Sequence, residues 1–258
     1  MIAYTLKELS SSLSKIGICK GDTILAHSAI FSLGKLASAS IADIPAKITE
    51  TILEVLGSEG TLVVPAFNFA FCKGEAFDRQ NTDCRGMGVF SEYVRTHPRS
   101  TRSFHPLQSL AAMGKFAEDI CSKDTPSTFD KNGPIGSMID RQSKLLLLGA
   151  PMQSASLVHY LEESFQVPYR YWKEFRGTYI NHGQTSDRTY KMYARDLTLN
   201  PRLHLALIED WLQQAGLIQS AKVGAGVIKA CSFRSFLEVT TAKLKEDPYC
   251  LIKRDTLN

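Results

Sequence analysis

Three neighbouring segments constrain the fold most: GDTILAHS at 21–28, IADIPAKITETILEVLG at 41–57 and GTLVVPAF at 60–67. The first and third are short apolar runs bounded by turn residues, the pattern of strands buried on both faces. The second carries Ile44, Ile48, Ile52 and Val55 at helical spacing and stops at Gly57. Strand, helix, strand in this order is a βαβ unit, which demands parallel pairing and favours a site at the carboxyl ends of the strands.

The rest of the chain extends this pattern. An amphipathic helix with Leu6, Leu9, Leu13 and Ile16 on one side precedes it. After it come a long unpatterned loop (68–86), a short helix over VFSEYVRTH, a strand over SLAAMG and a helix over KFAEDIC. KLLLLGA reads as the clearest central strand, and SASLVHYLEESF as a helix capped by a serine. GTYINHGQTSDRTYKMYARD alternates around a Gly as a hairpin does. A helix over LHLALIEDWLQQAG, a strand pair over LIQSAKVGAGVIKACS and a helix over SFRSFLEVTTAKLKE close the chain. The expected architecture is α/β, a central mixed and largely parallel sheet flanked by helices, in a single domain over residues 1–258 with a C-terminal subregion from about Pro168.

Composition suits a soluble globular protein: 44% of the 258 residues are apolar and 22% charged. The net charge of +4 is spread over the chain instead of forming a stripe, which argues against nucleic acid. No stretch reaches the roughly 20 apolar residues of a membrane span. Six cysteines without CxxC or framework spacing fit a reduced, cytoplasmic protein.

HExxH, the P-loop and GxSxG are absent, which removes the usual support for zincin, P-loop hydrolase and serine hydrolase chemistry. GAGVIK begins like a dinucleotide fingerprint, but Lys229 stands where the third glycine belongs, so it reads as a turn. HSAIFSLG (27–34) follows a buried strand, where backbone N–H groups and hydroxyls can meet phosphate oxygens. His27 itself reads as a structural ring. His159 and Glu162, three apart on a helix with Ser156 a turn earlier, share a face, and a carboxylate beside an imidazole can fix its tautomer. Spacing alone equally fits a solvated helix face, and Glu163 is expected in solvent. Cys84 paired with His105 is the hydrolase alternative.

The segments HSAIFSLG, GTLVVPAF, RSFHPLQSLAAMG, GPIGSMI, KLLLLGA and SLVHYLEE follow one another as in the aminoglycoside 3-N-acetyltransferases, and the chain resembles that family from about Leu6 to SFRSFLE. RSFHPLQSLAAMG matches the family pattern R-S-x-H-P-x-x-S-x-x-A-x-G throughout. The resemblance implies acetyl transfer from acetyl-CoA to an amine of an aminoglycoside or related amino sugar, by direct transfer without a metal. It implies His105 as general base and Glu162 as its partner or the holder of the amine. Coenzyme contacts are expected from Ser28, Ala29, Ile30, Phe31, Ser32, Arg102, Ser103 and Phe104, and acceptor contacts from Asp78, Asp83, His159 and Glu162. The expected partners are a small-molecule amine and coenzyme A, with a homodimer as the assembly to look for. Two departures stand out: Ala29 and Phe31 replace serines of the family's H-S-S-L-S-S-L-G loop, and the region between Pro65 and Gly88 lacks a longer insertion. A polycationic acceptor asks for an acidic cleft, whereas the basic chain leans towards a nucleotide-linked amino sugar.

Overall fold

The structure, a computed structural model, describes residues 2–253. In chain order its elements are β1 (Ala3–Tyr4), α1 (Leu6–Lys15), β2 (Thr23–Ser28), β3 (Lys35–Leu36), α2 (Ile44–Leu56), β4 (Thr61–Pro65), β5 (Phe77–Asp78), α3 (Gly88–Thr96), β6 (Thr101–Arg102) and β7 (Leu110–Gly114). They continue with α4 (Ala117–Cys121), α5 (Pro134–Asp140), β8 (Lys144–Leu148), α6 (Val158–Phe165), β9 (Arg170–Asn181), β10 (Gln184–Arg195), α7 (Ala206–Gln214), β11 (Gln219–Val223), β12 (Gly226–Ser232) and α8 (Phe233–Glu246).

Seven strands form the main sheet in the order β11-β12-β8-β2-β4-β7-β6. The sheet is mixed, with parallel pairing confined to the central β8-β2-β4 trio and antiparallel strands on either side. The central strands are buried on both faces, which is why they read as unbroken apolar runs. Their alternate residues feed two cores. Ile24, Leu62, Val64 and Leu146 pack under α1, α2 and α3, while Leu25, Val63, Leu145 and Leu147 pack with residues of α4 to α8 such as Ile120, Leu161, Ile208 and Phe236. On β2 His27 follows the same alternation as Leu25, which turns it towards α6.

Local signals account for most element ends. Thr5 Oγ1 accepts the Glu8 N–H at the start of α1, and Ser232 Oγ accepts the Ser235 N–H at the start of α8. The expected serine cap of α6 is absent: Leu157 precedes that helix, and Ser156 is bonded to His27 instead. GAGVIK opens with the turn Gly224–Ala225 between β11 and β12 and continues as β12. A Cβ on Gly224 would lie 2.3 Å from the Leu33 carbonyl oxygen, in a backbone at φ +55°.

β9 and β10 form a long hairpin closed by His182 and Gly183, both at positive φ (48° and 75°), as a type I′ turn requires. With β5 it makes a separate three-stranded sheet. Phe71 and Phe77, from the loop that lacked pattern in the sequence, pack with Leu107, Tyr179 and Tyr190 to fasten the hairpin to the main body. The base of the hairpin thereby lies beside α6.

Candidate active site

α6 follows β8 and starts beside the carboxyl end of β2, and its first two turns hold His159 and Glu162. Glu162 is fully buried, and its Oε2 is bonded to His159 Nδ1 at 2.6 Å. Its other oxygen forms an ion pair with Arg170 Nε at 2.8 Å, at the first residue of β9. Burial pushes the Glu162 carboxyl upward, but the hydrogen bond from His159 and the guanidinium of Arg170 outweigh it and hold the group below the usual carboxylate range. An ionised Glu162 makes Nδ1 the protonated nitrogen of His159. Nε2 then remains as a lone pair with no partner among the described residues. The ring edge packs on Phe129, with centroids 5.2 Å apart.

His159 lines two cavities. One, of about 270 Å³, lies at the carboxyl ends of β2 and β4 and is walled by His27, Ser28, Phe67, Gly86, Ala155 and Ser156. The other, of about 480 Å³, lies under the hairpin base and includes Phe69, Gln108, Arg170, Met192, Arg195 and Arg202. His159, Gln153 and Leu203 belong to both. The arrangement gives one imidazole, oriented by a buried carboxylate, access to two chambers: it can take a proton from a group in one chamber while a reacting partner enters by the other.

A model of the aminoglycoside 3-N-acetyltransferases matches residues 25–245. The chain belongs to that family. It is an acyltransferase of the same kind. It is 28% identical over 210 residues to the SPbeta prophage-derived aminoglycoside N(3')-acetyltransferase-like protein YokD of Bacillus subtilis, covering 67% of this chain and 74% of that one. It is 26% identical over 245 residues to aminoglycoside N(3)-acetyltransferase IV of a Salmonella species, covering 93% and 87%. Among solved structures, the acetyltransferase AAC-IIIb in a binary complex with CoASH shares the fold at a TM-score of 0.81 and 21% identity, over 95% of this chain and 97% of that one.

The family's most specific motif turns out to organise a loop. His105 is buried; its Nδ1 accepts the backbone N–H groups of Leu107 (3.3 Å) and Gln108 (3.1 Å), and its Nε2–H donates to the Lys191 carbonyl at 2.9 Å. Both nitrogens are engaged, burial draws the ring down to about 4, and it lines neither cavity of His159. In this geometry the expected base, His105, is a ring engaged by its own loop and by the Lys191 carbonyl, and it faces neither of these cavities. The neighbouring residues expected to meet the coenzyme are likewise engaged within the protein. Arg102 donates to Ser109 Oγ and to the carbonyls of Ala66 and Thr82, and Ser103 Oγ accepts the Leu110 N–H. Phe104 stacks under the Arg79 guanidinium at 3.7 Å. Arginine, serine and histidine of the motif all hold the β6–β7 connection in shape.

In HSAIFSLG, only His27 and Ser28 line a His159 cavity. The Ala29 N–H is spent on the Leu148 carbonyl, Ser32 Oγ donates to the Gly149 carbonyl, Ile30 is buried and Phe31 is 53% exposed. The expected acidic acceptor contacts also lie elsewhere. Asp78 accepts from Gln80 and Asn81 and closes its own turn; Asp83 accepts from Asn68 and faces Arg85. Glu163 is not in open solvent: both its oxygens accept from Ser127 Oγ, and burial lifts it to about 7. Cys84 is a buried thiol donating to Glu92, held up at about 12 by burial and that carboxylate, the opposite of an activated nucleophile.

Arg170, Gln153, Arg195 and Arg202 were missed in the sequence. The hairpin base brings the first and third to α6 from positions that are 8 and 33 residues beyond Glu162, and no local pattern marks them.

Two buried neutral rings set an acid limit on stability. Burial lowers His27 to about 3 and His105 to about 4, both below the ~6.5 of an unfolded histidine. As pH falls below that value the unfolded chain gains protons that the folded chain refuses, so stability drops, by up to ~1.4 kcal/mol per pH unit for each ring. Denaturant titrations at pH 7, 6 and 5 check this; a flat profile contradicts it.

Proposed function

We propose that the protein transfers the acetyl group of acetyl-CoA directly to an amine on an amino-sugar or aminocyclitol ring, with His159 as the general base. The observation that carries this reading is the position of His159 between two cavities, its Nδ1 on the buried Glu162 and its Nε2 left for a proton.

The smaller cavity suits the slender, uncharged pantetheine arm of the coenzyme. Its walls include the small residues Ser28, Gly86, Ala155 and Ser156 and, among the described residues, no Asp, Glu, Lys or Arg. When bound, acetyl-CoA supplies the thioester. The larger cavity then takes the amine. His159 Nε2 accepts the proton that the amine loses as its nitrogen bonds to the acetyl carbon. When the carbon–sulfur bond breaks, the same proton passes to the sulfur, which leaves as free thiol. Glu162 stays ionised and stabilises the transient imidazolium, and Arg170 keeps Glu162 from rotating away. His27 stays neutral: its Nε2 accepts from the Ser156 N–H at 3.3 Å, and both burial and His159 oppose its charging. No residue of this chain is asked to carry the acetyl group.

Direct transfer requires both substrates on the enzyme together. Thiol release measured while both acetyl-CoA and an accepted amine are varied is expected to give intersecting double-reciprocal lines. Parallel lines, together with an acetylated protein trapped in the absence of amine, would sink the direct-transfer reading.

A further inference from the structure

The wider cavity carries a charge that the family's name does not suggest. Among the described residues three arginines line it and no carboxylate does. Arg170 is neutralised by Glu162, and its Nη1 donates to the Tyr193 carbonyl. Arg195 and Arg202 are exposed and have no hydrogen-bond or ion-pair partner among the described residues. Asp196, next to Arg195 in sequence, is turned to Thr198, whose N–H and hydroxyl it accepts.

Resting on the reading of this cavity as the acceptor chamber, we propose that the acceptor is an amino sugar bearing an anionic group of the phosphate or diphosphate class, held by Arg195 and Arg202 while its amine meets His159. Two guanidinium forks on fixed backbone suit phosphate oxygens. Arg195 ends β10 in register with Arg170, and the Arg202 carbonyl accepts the Lys253 N–H at 3.0 Å, so both main chains are anchored while the guanidinium groups stay open. A polycation entering this chamber meets, among the described residues, two uncompensated positive charges and no acid.

The coenzyme also carries phosphates, but geometry sets them apart. The thioester has to reach His159, which places the phosphates a full pantetheine arm away from it. Arg195 and Arg202 line the chamber that His159 itself lines. The anion they hold therefore belongs to the acceptor.

The test is calorimetric titration of glucosamine 6-phosphate, glucosamine and kanamycin into protein saturated with coenzyme A. The phosphorylated sugar is expected to bind at least about tenfold tighter than glucosamine, and tighter than kanamycin. That advantage should disappear in R195E/R202E, with coenzyme A affinity unchanged. Both side chains are exposed, and R195Q/R202Q serves as a milder variant should charge reversal perturb folding. Equal or absent binding of glucosamine and its phosphate overturns the proposal. So does tighter binding of kanamycin, or phosphate binding that coenzyme A displaces. His159→Ala is expected to leave these affinities in place, so a failure of the catalytic reading shows in turnover and a failure of this proposal in binding.

Discussion

Replacing His159 by Ala should lower kcat by about 10²–10⁴-fold, the range for loss of a positioned general base. The protein should still fold, because the ring is partly exposed and contributes one side-chain hydrogen bond. Coenzyme affinity is expected to change little, since the smaller cavity keeps its other walls. The loss should therefore appear in kcat for the transfer step. Thiol-release assays at saturating substrates check it. Turnover within a few-fold of the parent in a folded H159A protein would remove His159 from the mechanism.

His105→Ala is expected to do the reverse. The ring satisfies two backbone N–H groups and one carbonyl in the interior, and a buried polar group left without a partner costs about 1–3 kcal/mol. The variant should lose roughly 3 kcal/mol or more of unfolding free energy, because three groups lose their partner together. Gln108, whose N–H the ring accepts, lines the wider cavity, so some effect on acceptor affinity is expected. The folded fraction should nonetheless keep kcat to within about tenfold, well short of the loss that removing a general base brings. Urea denaturation and activity corrected for the folded fraction separate the two quantities.

The contrast between these histidines explains what the sequence could and could not disclose. The βαβ unit around 21–67, the KLLLLGA strand and the hairpin follow from periodicity and turn residues, and the structure contains each. The outer strands of the sheet are short or half-exposed, and nothing local says which edge they join or in which direction. At the site, the His159–Glu162 pair is visible as an i,i+3 spacing, and the burial that distinguishes it from a solvated face is not. Arg170 supplies that distinction from another element, through tertiary packing alone.

RSFHPLQSLAAMG drew attention as the densest motif in the chain, but its density reflects the demands of one tight connection. Arg102, Ser103, His105 and Ser109 each satisfy a buried backbone or hydroxyl group there. A long run of specific residues marks where many backbone groups need partners, which is not always where chemistry occurs. The carboxylates expected to meet a cationic acceptor show a related pattern. Asp78 and Asp83 are close in sequence to the site loops, but their oxygens are spent on the turns that shape those loops.

If His159, and not His105, takes the proton of the amine, the two alanine variants part in kcat when measured side by side, with acetyl-CoA and the same amine saturating and rates corrected for folded protein. His105→Ala is expected to turn over at least about tenfold faster than His159→Ala, given the minimum loss expected for a missing base. A near-normal His159→Ala beside an inactive but folded His105→Ala would contradict it.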